Sequence, residues 1–221
     1  TSLIGDFVIL KSNGTPTYNF AVVVDDIGMK ISHVIRGEDH ISNTPRQIVL
    51  FEAFNEPIPE FAHVGMILAP DKSKLSKRHG ATAVSEFIEE GYLPEAFVNF
   101  LALLGWSTPD GEEIKAINDI ISAFDLDRIS HSAAVFDKEK LNWMNGMYIR
   151  NLSIKETLER CKKYMNSYDL NRYSNEKLEV MIGAVREPFT VLADVTKAVS
   201  YFFNDNIEIN EEVKEEALTG D

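Results

Sequence analysis

Short apolar runs alternate with helix-start signals through residues 1–70, and from about residue 84 that alternation gives way to helical periodicity. Residues 7–11 (FVILK) read as a strand, followed by the turn signal Ser12-Asn13-Gly14-Thr15-Pro16. Residues 20–26 (FAVVVDD) are apolar enough to be buried and fit either helix or strand. Residues 31–35 are β-rich. Ser42-Asn43-Thr44-Pro45 opens a helix across 46–54, with proline near its first turn. Residues 61–68 (FAHVGMIL) read as one further buried strand. Strands alternating with helices imply an α/β layer structure. Later, VSEFIEEGY reads as a helix with a glycine stop, and Pro94 starts LPEAFVNFLALLGW with apolar residues near 3.6 spacing. Residues 152–203 read as amphipathic helices without a clear strand. The expected architecture is α/β followed by a mostly α-helical region.

Composition decides which functions to consider. The 221 residues are 44% hydrophobic and 26% charged, an ordinary folded composition. The single cysteine, Cys161, makes no intrachain disulfide and no Cys-rich zinc site. The five histidines (His33, His40, His63, His79, His131) show no pair at ligand spacing, so no structural metal is expected. No apolar run approaches the ~20 residues that span a bilayer, and the first residues show no basic n-region followed by an apolar h-region. A cytoplasmic protein without a membrane partner is expected.

The formal net charge is -13, yet positive charge is concentrated in two places. Residues 71–81 hold four Lys/Arg against one Asp, and residues 137–163 hold seven against four acids. The first island is PDKSKLSKRHGA. Lysines on a short serine- and glycine-containing turn after a buried strand suit phosphate, because ammonium groups, hydroxyls and backbone N–H groups all donate. A solvated, charge-bearing turn is the plain alternative. The second island includes Lys138, Lys140, Arg150, Lys155, Arg160, Lys162 and Lys163. It is either a nucleic-acid backbone contact or a solvated helix face.

KLSKR resembles the KMSKS signature of class I aminoacyl-tRNA synthetases. Five blocks in order narrow the match: GDFVILKSNGTPTYNFAVVVDD, HVIRGEDHISNTPRQIVLFEAF, FAHVGMILAPDKSKLSKRHGA, GYLPEAFVNFLALLGW and AVFDKEKLNWMNGMYIR. Together they resemble bacterial glutamyl-tRNA synthetase, densely over 5–150 and more loosely beyond. The resemblance implies a Rossmann-like class I catalytic fold, of which this chain carries the second half.

Several residue roles follow from the resemblance. Lys77 contacts ATP phosphates and offsets charge as the amino-acid carboxylate attacks the α-phosphate. Lys74, Ser76 and Arg78 hold the loop or assist, and His40 falls where the family contacts the nucleotide and the amino acid's main chain. Tyr18 lines the amino-acid pocket, and Arg36 receives the glutamate side-chain carboxylate. A guanidinium and a carboxylate pair in a two-point fork, which fits that role; an exposed ion pair of Arg36 with Glu38 or Asp39 is the alternative. Glutaminyl-tRNA synthetases are similar here but lack the arginine.

The implied substrates are glutamate, ATP with Mg2+ and tRNA(Glu), with tRNA needed for activation, in a monomeric full-length enzyme. The implied organisation is the second half of the nucleotide-binding domain in 1–70, the KLSKR loop and stem-contact region in 71–150, and the start of a helical anticodon-binding domain in 151–221. The family's His-Ile-Gly-His signature is not among these residues, so the expectation is a fragment that is inactive by itself and leaves apolar surface uncovered in 1–70. A glutaminyl-tRNA synthetase and a non-catalytic tRNA-binding paralogue are the alternatives.

Overall fold

A computed structural model describes residues 4–76, 83–130 and 132–204. The chain divides into two compact units, each built from non-consecutive segments. One holds the residues up to 76 with 101–112 and 120–136, and the other holds 77–100, 113–119 and 137 onward.

Residues 7–11 are not a strand: Leu10 meets only Pro16, in an isolated antiparallel bridge across the turn. Thr17 N–H donates to the Ile9 carbonyl at 2.8 Å, which closes a tight loop. A β-prone run becomes a strand only when another strand pairs with it, and none of the described residues does so here. Val8, Ile9 and Leu10 are instead exposed.

The run FAVVVDD is helical, inside α1 (Tyr18–Met29). Its buried Val23 packs with Leu50 and Phe51 of α2 (Thr44–Phe54) into a small core. Both helices end at a residue in the left-handed region, Lys30 (φ 54) and Asn55 (φ 56). Between the helices lies β1 (His33–Gly37), and after them comes β2 (Glu60–Val64). The two strands are parallel, with Arg36 in register with His63. That is the expected strand–helix–strand unit.

The predicted strand over 61–68 is broken at Gly65-Met66. β2 pairs with β1, whereas β3 (Ile67–Leu68) pairs in parallel with β4 (Ala134–Val135), so the run changes partner midway. Gly65 makes the change sterically feasible: a Cβ there would lie 2.3 Å from the Ser132 carbonyl oxygen. β4 went unread because two residues carry no periodic signal.

The second unit is helical. α3 (Val84–Glu90) stops at Gly91 (φ 98), as the sequence implied. α4 (Pro94–Gly105) and α5 (Ile117–Ala123) contribute residues to both units. α6 (Lys138–Asn151) is capped by Asp137, whose carboxylate accepts from Glu139 and Lys140 N–H. A capping box at Ser153 and Glu156 opens α7 (Ile154–Cys161), and Ser174 caps α8 (Asn175–Val185). Two four-residue helices, α9 (Val195–Ala198) and α10 (Ser200–Phe203), follow.

The core of this unit gathers Leu93, Ile149, Leu158, Ile182, Phe189 and Val195 with their neighbours. Cys161 lies within it, and burial pushes its thiol pKa up to about 12. Among the described residues, no helix is long and apolar enough to cross a membrane. Nor does any group of three or more His, Cys, Asp or Glu stand ready to hold a metal ion.

Candidate amino-acid and nucleotide site

The site grows from the carboxyl ends of the parallel strands, where open α/β sheets gather ligands. Arg36 is the penultimate residue of β1, and His63 stands beside it on β2, so their side chains leave the same face. A short 3-10 turn, Glu38–His40, then carries the chain into the first turn of α2. Thr44 and Gln47, three residues apart on that helix, share one side of it.

Those two residues hold the arginine. Arg36 Nη2 donates to Thr44 Oγ1 and to Gln47 Oε1, each at 2.7 Å. Gln47 is 2% exposed, and its Nε2 donates to Asn19 Oδ1 at 3.1 Å. The guanidinium carbon lies 5.3 Å from the centre of the Phe61 ring, a cation–π contact. Thr44 Oγ1 also meets His63 Nε2 at 3.0 Å. Burial, then the charges of Arg36 and His40, hold the His63 pKa below its ordinary value. A neutral imidazole beside the guanidinium follows.

What Arg36 does not have is equally informative. Its Nε is buried and without a hydrogen-bond partner among the described residues. No described carboxylate forms an ion pair with it. Asp26 feels its charge, but burial outweighs that effect and raises the Asp26 pKa. The pairing with Glu38 or Asp39 that the sequence allowed does not occur: Glu38 Oε1 accepts from Met66 N–H at 3.3 Å, and Asp39 pairs with Lys74. An arginine positioned by neutral acceptors, in a chain this acidic, retains its capacity for an anion.

Tyr18 and His40 face each other. Tyr18 opens α1 and is 53% exposed, and its hydroxyl lies 3.3 Å from His40 Nδ1. The same nitrogen is 3.3 Å from Asn43 Nδ2. Lys74 Nζ lies 3.3 Å from Asp39 Oδ2, which brings the start of the KLSKR segment to the same turn. Ser76 is the last residue described before the segment 77–82. Lys77 and Arg78 lie outside the described residues.

The structure brings four of the candidates the sequence offers, Tyr18, Arg36, His40 and Lys74, into one unit, linked through Thr44 and Asp39. Sequence reasoning missed Thr44, Gln47, Asn19, Phe61 and His63. In the sequence Thr44 signals a helix start, and the i, i+3 pair Thr44 and Gln47, one loop after Arg36, is the signal that could reveal its second role.

The second positive island turns out to be largely paired within its unit. Lys138 reaches Glu90 at 2.7 Å, Lys162 reaches Glu159 at 2.7 Å, Lys140 meets Glu113 and Arg160 meets Glu95. Arg150 donates to the Glu187 carbonyl at 3.2 Å. Lys163 lies over the Tyr164 ring, 4.6 Å from its centre.

The arrangement joins parallel strands, an arginine with no ion-paired carboxylate among the described residues, and a lysine-bearing segment. Residues 1–143 match the family described as tRNA synthetases class I (E and Q), catalytic domain, and the chain belongs to that family. It is 48% identical to glutamate–tRNA ligase 2 of Caldicellulosiruptor saccharolyticus over 98% of its own length, and 50% identical to the glutamate–tRNA ligase of Desulforamulus reducens over 95%. It spans 45% and 44% of those two proteins, slightly under half their length. Among solved structures, it resembles a glutamate tRNA ligase from Elizabethkingia meningosepticum in complex with its amino acid. The TM-score is 0.85 at 36% identity, covering 99% of this chain and 47% of that one.

Proposed function

We propose that residues 1–221 are part of a glutamate–tRNA ligase, and that they supply its glutamate side-chain receptor and its lysine-rich triphosphate segment. The observation that carries this reading is Arg36: fixed by Thr44, Gln47 and Phe61, with a buried unpaired Nε and no ion-paired carboxylate among the described residues. A glutamate side chain completes it, because a charge-assisted pair in a half-buried site offsets the desolvation of both partners. A glutamine amide brings no charge. Tyr18 and His40 flank the amino acid, and His40 with Lys74, Ser76, Lys77 and Arg78 meets ATP, supplied with Mg2+ as its substrate complex.

The reaction has two steps. An oxygen of the glutamate α-carboxylate attacks the α-phosphorus, and pyrophosphate leaves as the mixed anhydride forms. The terminal ribose hydroxyl of tRNA(Glu) then attacks the acyl carbon and AMP leaves. The protein's part is to position the reactants and to offset charge developing on the phosphoryl oxygens, the latter assigned to Lys77. The enzyme works in the cytoplasm as a monomer. The names of the relatives support the reading. Its test is glutamate-dependent ATP–pyrophosphate exchange by the full-length protein in the presence of tRNA. Exchange with glutamate and little with glutamine is expected, and exchange that prefers glutamine contradicts the proposal.

A further inference from the structure

Asp39 stands where a carboxylate is electrostatically out of place. It neighbours His40, and the lysine-bearing segment assigned to a triphosphate begins beside it. A carboxylate near a polyanion raises the cost of binding unless a cation covers it. Lys74 does so, with Nζ 3.3 Å from Asp39 Oδ2, although the two residues are 35 positions apart in sequence.

Both partners are held from behind. The side chain of Asp39 folds back over Gly37: a Cβ at position 37 would lie 2.7 Å from Asp39 Oδ1, so any larger residue there would displace the carboxylate. Glu38, next to Asp39, accepts from Met66 N–H and ties the same turn to the junction between β2 and β3. On the other side, Lys74 forms an antiparallel bridge with Leu68 of β3. The turn between them is closed by Ala69 N–H to the Ser73 carbonyl at 2.8 Å and Lys72 N–H to the Ala69 carbonyl at 2.8 Å. Each backbone is fixed, and the ion pair joins them at one point.

We infer that Asp39 is a positioning residue that holds Lys74, and with it the start of the KLSKR segment, against the turn bearing His40. The inference rests on the proposed glutamate-activating function. The pair contributes placement more than stability, since the side chains of Lys74 and Asp39 are 71% and 44% exposed and such pairs are worth little to folding.

Kinetics of the full-length synthetase test this, with Asp39→Asn, Lys74→Gln and the double variant assayed by ATP–pyrophosphate exchange with tRNA. Both positions are exposed enough for the isosteric Asp39→Asn and the charge-removing Lys74→Gln to leave folding intact. Asp39→Asn removes a negative charge, so simple relief of repulsion lowers KM for ATP, whereas loss of positioning raises it. A rise of about two- to fivefold is expected, the scale of a partly exposed ion pair. KM for glutamate stays within about twofold. The double variant is expected to be no worse than Lys74→Gln alone. A fall or no change in KM for ATP, a parallel rise for glutamate, or additive effects in the double variant each overturns the inference while leaving the function intact. Absence of exchange by the unmodified enzyme overturns the functional reading, and the inference with it.

Discussion

Arg36 and Gln47 are eleven residues apart, and the arginine's Nη2 donates to the glutamine's Oε1 at 2.7 Å. Gln47 is buried, and its amide nitrogen is engaged by Asn19, so the oxygen has little freedom to turn away. Replacing Gln47 with Leu keeps the volume and removes the acceptor. A hydrogen bond to a charged group contributes about 1.5–3 kcal/mol. Glutamate kcat/KM in the full-length enzyme is therefore expected to fall about 10- to 100-fold. KM for ATP is expected to stay within a factor of about two, since the side-chain hydrogen bonds of Gln47 go to Arg36 and Asn19, neither assigned to the nucleotide. Equal rises in both KM values would show a general disturbance of α2.

His63 is expected to make the fold pH-sensitive. Its folded pKa is depressed, first by burial and then by the charges of Arg36 and His40. A depressed histidine pKa means that the unfolded chain binds the proton more readily. The contribution to stability is then fully present above the unfolded value near 6.5 and is lost as pH falls through the lower folded value. Urea midpoints between pH 7.5 and 5.0 should fall toward acid, and His63→Gln should flatten part of that slope. Identical slopes for the two proteins would assign the acid sensitivity to other groups.

Asn145 holds the helical unit together through both ends of its amide. It is 0% exposed, its Oδ1 accepts from Leu93 N–H at 2.8 Å, and its Nδ2 donates to the Thr190 carbonyl at 2.6 Å. Asn145→Ala leaves a buried donor and acceptor unpaired beside a small cavity. The expected loss is about 2–4 kcal/mol of unfolding free energy. A loss below about 0.5 kcal/mol would mean that water or a backbone shift replaces both bonds.

The legible parts of the molecule were those where local pattern and tertiary environment agree. The Thr44-Pro45 helix start, the Gly91 stop and the Pro94 start appear as read, because capping and backbone geometry are local matters. The run 7–11 misled because β-propensity reports fitness for a pleated surface, and no described neighbour supplies that surface. The 61–68 run misled because Gly65 was read as part of one strand, when it marks the place where the strand changes partner.

At the candidate site, Tyr18, Arg36 and His40 are named by ordered motifs. Thr44, Gln47 and His63 are not, since they act through Arg36 from two other elements that only the parallel pairing of β1 and β2 brings together. Lys77 and Arg78 retain the roles their motif implies, as proposals.

The central claim is that Arg36 reads the charge of the substrate side chain, and Arg36→Ala in the full-length enzyme tests it most directly. Removing the guanidinium leaves the glutamate carboxylate without its counter-ion in a half-buried site, at a cost of roughly 2–4 kcal/mol. That corresponds to about 30- to 1,000-fold in kcat/KM for glutamate. The neutral glutamine amide loses much less, so the ratio of the two kcat/KM values, measured by pyrophosphate exchange with tRNA present, should shift toward glutamine by at least about tenfold. A proportionate loss for both amino acids, leaving that ratio unchanged, would contradict the claim and make Arg36 a structural residue.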